Sequence, residues 1–369
     1  MKLVIERNIL VDAVSNVLRS VPAKTSLSVL EGILFTANKG SVSLVGFDLD
    51  LGIKTILPAD VSETGEIVIG AKIFFDMIRK ITSNEISISC DEKGLIEIKG
   101  GATEFTILGT PSDDYPELPE LSEDGSLVLS QKSFKSQIDQ TLFAIATTDS
   151  KPVHTGSLFD VEDGFLTLVS VDGYRLAIRK EKLISGSKGG FIVPGKTLSE
   201  ISKLLDGEDE EKTLKIRFSR RHVLFEIGNY SVISRLLEGE FLDYKAAIPK
   251  AHTTLVTIGV REFINSVERT ALIISDKMRS PLRMNFSDNM LKISCNTNLG
   301  KSYDELPCKI DGDELEIGFN NRYVLDALKA ADCENVNLKI SGPLSPMKIV
   351  PEGDEKFLFL VLPVRLKAD

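Results

Sequence analysis

The hexapeptide Ser43-Leu44-Val45-Gly46-Phe47-Asp48 decides the fold, because the chain contains it three times in altered form. Its counterparts are Thr167-Leu168-Val169-Ser170-Val171-Asp172 and Leu291-Lys292-Ile293-Ser294-Cys295-Asn296, and the last residue of each stands 124 positions from the next. Each hexapeptide is typical of a strand that closes on a hairpin turn. Recurrence at a fixed spacing indicates three repeats of one folding unit.

Two further patterns recur with the hexapeptide. The first is a helical set of apolar residues, namely Leu10, Val14 and Leu18, then Phe134, Ile138 and Leu142, then Phe263, Val267 and Ala271. The second is a strand that runs through a short turn into a helix, at residues 67–81, 191–205 and 316–331. Each repeat therefore reads as helix, strands, helix, strands, which predicts an α+β fold of two helices packed on an antiparallel sheet.

The repeats predict three domains, at residues 1–122, 126–250 and 254–369. The boundaries fall near 122–127 and 250–254, where the connecting segments are polar and contain proline. The alternative interpretation is three independent domains joined in series.

Bulk composition excludes several classes of protein. Hydrophobic residues make up 42% and charged residues 27% of the 369-residue chain, as in globular proteins, and no run approaches the roughly 18 apolar residues of a membrane span. The first residues, Met1 to Arg7, are charged and contain no signal-peptide core. Four separated cysteines without a CxxC pair favour a reducing cytoplasm and offer no zinc site.

The distribution of charge is more informative than its total of −10. The second helix of each repeat carries two basic residues seven apart, on one helical face: Lys72 and Arg79, Lys196 and Lys203, Arg322 and Lys329. The six predicted helices together hold 13 Lys or Arg against seven Asp or Glu, so they carry +6 and the remainder −16. One explanation of these basic residues is that they lie on ordinary solvent-exposed helix faces. Recurrence in all three repeats favours contacts to nucleic-acid phosphates, without base recognition.

The chain lacks the usual marks of an enzyme. It contains no GxxxxGK[ST] phosphate loop, no GxGxxG after a strand and no HExxH, and its three histidines stand apart. The densest acidic cluster, Asp206–Glu211, falls in a predicted hairpin loop rather than on rigid elements. The sequence therefore predicts no catalytic residue, no metal site and no cofactor.

Two features are confined to one repeat each and are therefore candidates for function. The second repeat continues its turn as Asp172-Gly173-Tyr174-Arg175-Leu176, where the first has Asp48-Leu49-Asp50-Leu51. The chain ends on Phe357-Leu358-Phe359-Leu360-Val361-Leu362-Pro363-Val364-Arg365-Leu366, whose last residues are an apolar surface that would seek a partner or seal the core.

At these residues the sequence resembles the β subunits of bacterial DNA polymerase III, the sliding clamps. The resemblance spans residues 1–366 and includes, in family order, the Asp172–Leu176 turn, Phe241 to Tyr244, Gly318-Phe319-Asn320 with Tyr323-Val324-Leu325, and the Leu362–Leu366 terminus. It implies a head-to-tail homodimer that forms a closed ring around duplex DNA, lined by twelve helices. It also implies a cytoplasmic, non-enzymatic processivity factor, whose partners are the polymerase III α subunit, the clamp loader, and other polymerases and repair proteins that bind through short peptides.

The resemblance also assigns residues to three surfaces. The peptide pocket would be lined by Val171, Gly173, Tyr174, Arg175, Leu176, Leu242, Ala247, Tyr323, Leu344, Pro346, Leu360, Val361, Leu362, Pro363, Val364, Arg365 and Leu366. Lys24, Lys72, Thr148 and Lys151 match DNA-contacting positions, and the basic helices add Arg79, Lys80, Lys196, Lys203, Arg322 and Lys329. Phe105 of one subunit would contact Ile273 and Ile274 of the other.

Four departures from the family pattern affect these assignments. His154 stands where an aliphatic residue is common and Leu242 where proline is usual. Pro152-Val153 replaces a pair of tyrosines that contact DNA in some relatives, and Lys367-Ala368-Asp369 extends past the usual terminus. Two rival hypotheses are a three-domain protein scaffold that does not encircle DNA and a metal-dependent nucleotidyl or phosphoryl transferase.

Overall fold

A computed structural model describes residues 1–122, 124–148, 151–274 and 280–366 of the chain. Within these ranges each predicted repeat contains nine strands and two long helices in the same order. A short helix, α5, lies between the second and third repeats. The repeat that the sequence predicts is therefore confirmed element by element.

The helices and strands have the following bounds. The first repeat holds β1 (Lys2–Glu6), α1 (Arg7–Val17), β2 (Gly32–Asn38), β3 (Ser41–Phe47), β4 (Leu51–Pro58), β5 (Asp60–Glu63), β6 (Gly65–Gly70), α2 (Ala71–Lys80), β7 (Glu85–Cys90), β8 (Leu95–Gly100) and β9 (Thr103–Leu108). The second holds β10 (Gly125–Ser130), α3 (Gln131–Thr141), β11 (Gly156–Glu162), β12 (Phe165–Val171), β13 (Arg175–Lys182), β14 (Ser185–Gly186), β15 (Gly189–Pro194), α4 (Gly195–Leu204), β16 (Thr213–Phe218), β17 (His222–Ile227) and β18 (Tyr230–Arg235).

Helix α5 (Tyr244–Ala247) leads into the last repeat. That repeat holds β19 (Thr254–Gly259), α6 (Val260–Ala271), β20 (Leu282–Ser287), β21 (Met290–Thr297), β22 (Gly300–Pro307), β23 (Lys309–Gly312), β24 (Leu315–Phe319), α7 (Asn321–Ala330), β25 (Asn335–Ile340), β26 (Met347–Pro351) and β27 (Phe357–Val361). None of the described helices has the length and apolar character needed to cross a bilayer.

Neighbouring repeats share their sheets. Two nine-stranded antiparallel sheets have the orders β14-β10-β16-β17-β18-β4-β3-β2-β6 and β15-β11-β12-β13-β27-β26-β25-β19-β23. In each of them the last strand of one repeat pairs with a strand of the preceding repeat: β18 with β4, and β27 with β13. A five-stranded sheet of the first repeat, β5-β1-β7-β8-β9, and a four-stranded sheet of the third repeat, β22-β21-β20-β24, are not shared between repeats.

Shared sheets explain why the compact units of the chain are not the repeats. Unit 1 comprises Met1–Gln131, Ser185–Ser187 and Glu200–Leu236, and unit 2 comprises Lys132–Ile184, Lys188–Ser199 and Leu237–Asp369. Each of the four sheets lies within one unit. The three domain boundaries therefore stay a prediction from the sequence.

Each unit has a core of aromatic and aliphatic side chains from one face of its helices. In unit 1 the rings of Phe35 and Phe74 meet edge to face with centroids 5.1 Å apart, and both side chains are fully buried. In unit 2 the fully buried rings include Phe263, Phe319 and Phe359. Phe263 belongs to the helical pattern, and Phe74 and Phe319 belong to the strand-to-helix segments, from which the sequence predicts the α+β fold; that prediction is confirmed.

Candidate functional site

A tight turn positions the residues that the second repeat does not share with the first. The Oδ1 atom of Asp172 accepts hydrogen bonds from the backbone N–H groups of Tyr174 at 2.9 Å and Arg175 at 3.0 Å. Gly173 has φ of +91°, in the left-handed region that favours glycine. The turn therefore presents two large side chains, Tyr174 and Arg175, at the start of β13.

The guanidinium of Arg175 is held by charge and by aromatic rings. Its Nε donates to Asp172 Oδ2 at 3.0 Å, and its second ion pair is with Asp326 on α7. The Cζ atom lies 4.8 Å from the ring centroid of Tyr323 and 5.4 Å from that of Phe143. With only 11% of its side chain exposed, Arg175 is fixed in one position.

The aromatic residues extend this cluster in both directions. Tyr174 stacks on Tyr323 with centroids 5.9 Å apart and planes inclined by 21°. Phe143, which follows α3, meets the fully buried Phe359 of β27 edge to face at 5.2 Å. The exposed Tyr174 is thus connected through successive contacts to the core of unit 2.

The end of the chain closes over the same elements. The backbone N–H of Leu362 donates to the carbonyl of Tyr174 at 2.9 Å, and that of Val364 donates to the carbonyl of Gly318 at 2.8 Å. A Cβ atom on Gly318 would lie 2.6 Å from the backbone carbonyl oxygen of Val364, so only glycine admits this close approach of the terminus. The described terminus is therefore anchored to unit 2. The extension Lys367-Ala368-Asp369 lies outside the described residues.

The anchored segments expose apolar side chains above a buried apolar floor. Tyr174 is 61% and Leu344 67% exposed, and Leu242, Leu362 and Val364 are exposed as well. The floor is a buried cluster that includes Val171, Leu176, Leu360 and Tyr244. Of the remaining predicted pocket residues, Val361 is buried, Tyr323, Pro346, Pro363 and Leu366 are half-buried, and Gly173, Ala247 and Arg365 are exposed.

His154, at a position where the family commonly has an aliphatic residue, packs on Phe241 beside the apolar floor. Its ring meets that of Phe241 edge to face at 5.5 Å, and only 8% of the residue is exposed. Burial lowers the pKa of His154 and the charge of Lys151 lowers it further, while Asp172 acts in the opposite direction. The imidazole is therefore held in its neutral, less polar form.

The predicted DNA-binding residues all have exposed side chains. They are Lys24, Lys72, Arg79, Lys80, Thr148, Lys151, Lys196, Lys203, Arg322 and Lys329. Lys72, Arg79 and Lys80 lie on α2, Lys196 and Lys203 on α4, and Arg322 and Lys329 on α7, as the basic spacing predicts.

The second helix of each repeat has an acidic residue at an equivalent position, and its ion-pair partner differs between the repeats. In the first two repeats it pairs with the basic residue three positions on: Asp76 with Arg79 at 3.4 Å, and Glu200 with Lys203 at 2.9 Å. The equivalent in the third repeat, Asp326, pairs instead with Arg175, and Lys329 pairs with Glu268 of α6 at 2.7 Å. Helix α7 therefore carries two of the predicted DNA-binding residues, Arg322 and Lys329, and also the carboxylate that pairs with Arg175.

The residues predicted to join two subunits lie in the first and third repeats, near exposed apolar side chains. Phe105 is half-buried on β9, and Ile273 and Ile274 pack partly on the unit 2 core just after α6. Leu108 on β9 is 73% exposed and Leu272 is 83% exposed. Both neighbourhoods thus present apolar side chains to solvent.

Sequence reasoning missed two members of the Arg175 cluster. The sequence does not single out Asp326 or Phe143, because each belongs to a position where the other repeats have an ordinary helix residue or loop. The signal for Asp326 was present, since it lies three residues after Tyr323 on the same helical face. No group of three or more His, Cys, Asp or Glu side chains suited to a metal occurs among the described residues.

Comparison with known proteins covers the whole chain. Models of the DNA polymerase III beta subunit match as its N-terminal domain at residues 1–119, central domain at 128–243 and C-terminal domain at 245–365. The Beta sliding clamp of Halalkalibacterium halodurans is 33% identical over 99% of this chain and 100% of its own.

Solved structures of DNA polymerase III beta subunits are similar to this chain over nearly its whole length. The DNA polymerase sliding clamp of Bacillus subtilis has a TM-score of 0.96 at 30% identity, with 100% of both chains covered. A putative DNA polymerase III beta subunit of Eubacterium rectale has a TM-score of 0.94 at 34% identity, with 99% of each chain covered.

Proposed function

The chain belongs to the DNA polymerase III beta subunit family, the beta sliding clamps, and is a non-catalytic processivity factor of that polymerase; on this premise we propose how it closes a ring, holds DNA and binds partners. Two copies close head to tail around duplex DNA, and a pocket built on Arg175 and the terminus binds peptides of the polymerase. The main observation in support of the ring is that two strands, β9 and β22, each have one edge without a pairing partner among the described residues.

The strand edges follow from the repeat. Twice within the chain the last strand of a repeat pairs with the fourth strand of the preceding one, as β18 with β4 and β27 with β13. Among the described residues, the last strand of the first repeat, β9, and the fourth strand of the third, β22, each end a sheet with one edge unpaired. An unpaired edge readily accepts another strand. The same pairing between two chains would join β9 of one to β22 of the other.

The internal junctions also predict the register of this contact. Gly52 lies opposite Ile233, and the equivalent residues Leu176 and Leu360 lie opposite each other. The same sequence offsets between equivalent strands, applied to β22 and β9, place Gly300 opposite Thr106 and Ser302 opposite Glu104. Phe105 and Leu108 then lie at the contact with the segment from Leu272 to Ile274. The contact is heterologous, and two chains close it into a ring.

Cysteine cross-linking tests the register. The double variant Ser302→Cys with Glu104→Cys should form an intersubunit disulfide, because directly opposed Cβ atoms in antiparallel strands lie about 4.5–5.5 Å apart. The control Ser302→Cys with Thr103→Cys should cross-link poorly, because a one-residue shift places the side chains on opposite faces. Equal cross-linking of both pairs would contradict the register, and a monomer in sedimentation would contradict the ring.

Weak contacts suit a ring that must slide. Arg79, Lys203 and Lys329 each have an exposed ion pair with a carboxylate, an interaction that contributes only about 0–1 kcal/mol. DNA phosphates can therefore exchange with these carboxylates at little cost. The acidic remainder of the chain repels DNA from the outer surface.

Retention on circular DNA tests encirclement. The protein, once loaded on a nicked circular duplex, should remain bound in salt that abolishes ordinary phosphate contacts, and should leave after the circle is cut. Retention on linear DNA with free ends would contradict encirclement. A variant with Lys72, Arg79, Lys196 and Lys203 changed to Glu should lose function; unchanged function would favour the protein scaffold without DNA.

The pocket binds by burial of a few apolar anchors. The exposed side chains of Tyr174, Leu344 and Leu362 lie over an apolar floor, and the fixed guanidinium of Arg175 borders them. Such rigid, partly apolar surfaces bind short peptides through a leucine or aromatic residue. The occupants we propose are peptides of the polymerase III α subunit, the clamp loader, and other polymerases and repair proteins, in the cytoplasm.

Truncation separates the pocket from the ring. Removal of residues 362–369 should abolish stimulation of the polymerase while the protein remains dimeric in sedimentation. Loss of dimerisation would contradict the assignment of this segment to the pocket. The matched internal control is the deletion of 367–369 alone, which should preserve stimulation because Leu366 still packs on Gly318.

A further inference from the structure

Unit 1 contains a counterpart of the partner pocket with different side chains. The backbone N–H of Arg235 donates to the carbonyl of Asp50 at 2.8 Å, just as that of Leu362 donates to Tyr174 in unit 2. The carboxylate of Asp48 accepts from the N–H groups of Asp50 and Leu51 at 3.1 and 2.7 Å, as Asp172 does in its own turn. The frame of the pocket is therefore repeated at the β4–β18 junction.

Basic side chains replace the apolar ones at this counterpart. Arg220 and Arg221 form the turn between β16 and β17, and His222 lies opposite Arg235 across β17 and β18. The three arginines are exposed, and none has an acidic partner among the described residues. The arginines also affect His222. Burial is the main cause that lowers the pKa of His222, and the positive charges of Arg235 and Arg221 lower it further.

A largely apolar cavity lies on the face of the sheet to which the Arg235 position belongs. It has a volume of about 380 Å³, and Leu118, Leu121, Leu224 and Ile233 contribute to its lining. Ile233 shares a face with Arg235, two residues on, and Leu224 lies opposite Ile233. A volume of this size accommodates a few side chains. We call the cavity and the three arginines together the arginine groove.

Other charges at the groove leave it basic. Lys54 and Glu120 both line the cavity. Arg217 also lines it and is paired with Glu226 at 3.2 Å. Asp48 and Asp50 belong to the turn beside Arg235. The arginine end of the groove therefore holds three arginines against the two aspartates of the turn, a net positive charge on an otherwise acidic protein.

The turn beside Arg235 also contains an unusual residue, Leu49. It has φ of +78°, which is unfavourable for a residue with a branched side chain, and it is 49% exposed. The equivalent residue in unit 2 is Gly173, which adopts the same conformation without strain. An exposed leucine in a strained turn contributes little to the core, so its side chain is available for a contact outside the chain.

We propose that the arginine groove docks a segment of a partner protein that carries two or three acidic residues beside a leucine or phenylalanine. The carboxylates pair with Arg220, Arg221 and Arg235, and the apolar residue enters the cavity. Charge complementarity favours an acidic segment. The apolar lining favours a peptide over duplex DNA, which has phosphates but no side chain to fill the cavity. This second surface goes beyond the proposed pocket and differs from it in ligand chemistry.

Binding of a defined peptide tests the proposal. The probe is a fluorescein-labelled dodecapeptide with four Glu, two Leu and one Phe among Ser residues, and its control has Lys in place of Glu. Fluorescence anisotropy with the full-length protein should show binding of the acidic probe alone. The double variant Arg221→Glu with Arg235→Glu should bind the probe about tenfold more weakly. The matched charge reversal Lys39→Glu with Lys93→Glu, at exposed turns of the same unit, should not weaken it.

Two more variants separate this groove from the pocket. Tyr323→Ala, which disables the pocket, should leave binding of the acidic probe unchanged, so failure of the pocket and failure of the groove are distinguishable. Leu49→Gly should weaken probe binding while the melting temperature rises or stays constant, an outcome that a merely structural leucine would not give. Loss of binding in Tyr323→Ala, or equal loss in both charge reversals, would overturn the proposal.

Duplex DNA is the competing occupant. If Arg221→Glu with Arg235→Glu weakens binding of a labelled 20-base-pair duplex and leaves the acidic peptide unaffected, the groove is a phosphate site and the proposal is wrong. If the peptide alone is affected, the proposal stands.

Discussion

The turn at Asp172 in unit 2 and the turn at Asp48 in unit 1 have the same backbone and different neighbours. Each aspartate accepts two backbone hydrogen bonds, each is followed by a residue with positive φ, and each turn receives a hydrogen bond from the end of an adjacent strand. In unit 2 the next side chains are Tyr174 and Arg175; in unit 1 they are Asp50 and Leu51. The frame belongs to the fold, and the proposed peptide pocket differs from its counterpart only in the side chains placed on that frame.

The largest expected difference between the two junctions concerns Phe359 and its counterpart Val232, both fully buried. Phe359→Ala should lower the free energy of unfolding by about 3–5 kcal/mol, because the ring contacts Phe143 and Phe357. Val232→Ala should lower it by about 2 kcal/mol. Urea unfolding followed by circular dichroism measures both. Equal losses would mean that the aromatic contacts add nothing to burial at the pocket junction.

The acidic position on the second helix gives the next largest contrast. Asp326→Asn should weaken binding of a partner peptide about tenfold, about 1.4 kcal/mol, because Arg175 loses one of its two carboxylates. Asp76→Asn, the equivalent change in the first repeat, should leave peptide binding unchanged. Fluorescence anisotropy measures the affinity, and Asp326→Glu should restore part of it. If both Asn variants bind equally well, Asp326 does not position Arg175.

A pH dependence should distinguish His154 from its counterpart Leu30, which is fully buried. Because burial lowers the pKa of His154 in the folded state, the unfolded chain binds the proton more readily. Stability associated with His154 is therefore present above the unfolded pKa of about 6.5 and is lost as the pH falls below it. His154→Leu should reduce the loss of melting temperature between pH 7.5 and 5.5. An unchanged pH profile would show that His154 does not contribute.

The smallest expected effects concern the positive-φ residues themselves. Leu49→Gly should raise the free energy of unfolding by less than about 1 kcal/mol, because relief of the left-handed strain exceeds the added entropy of the unfolded chain. Gly173→Leu should lower it by about 1 kcal/mol, although no atom lies within 4 Å of the added Cβ. The same unfolding measurements apply. A destabilised Leu49→Gly would show that the leucine side chain packs within the fold.

The sequence predicts the three repeats and their elements because apolar periodicity is a local property. Leu10 and Val14, or Phe263 and Val267, mark a buried helical face whatever lies against it. The sharing of sheets between repeats could not be predicted in this way, because the pairing of Leu176 with Leu360 joins residues far apart in sequence. The family resemblance supplied most of the pocket residues, whereas the ion pair of Arg175 with Asp326 required the structure.

The unpaired edges of β9 and β22 have a kinetic consequence for the proposed ring. Two equivalent junctions hold two chains together, so when one junction opens, the other keeps the separated strands near each other. Reclosure is then a unimolecular step at a high effective concentration, whereas complete dissociation requires both junctions to be open at once. Such a clamp opens at one junction to admit DNA far more often than it falls apart, although the two junctions are identical.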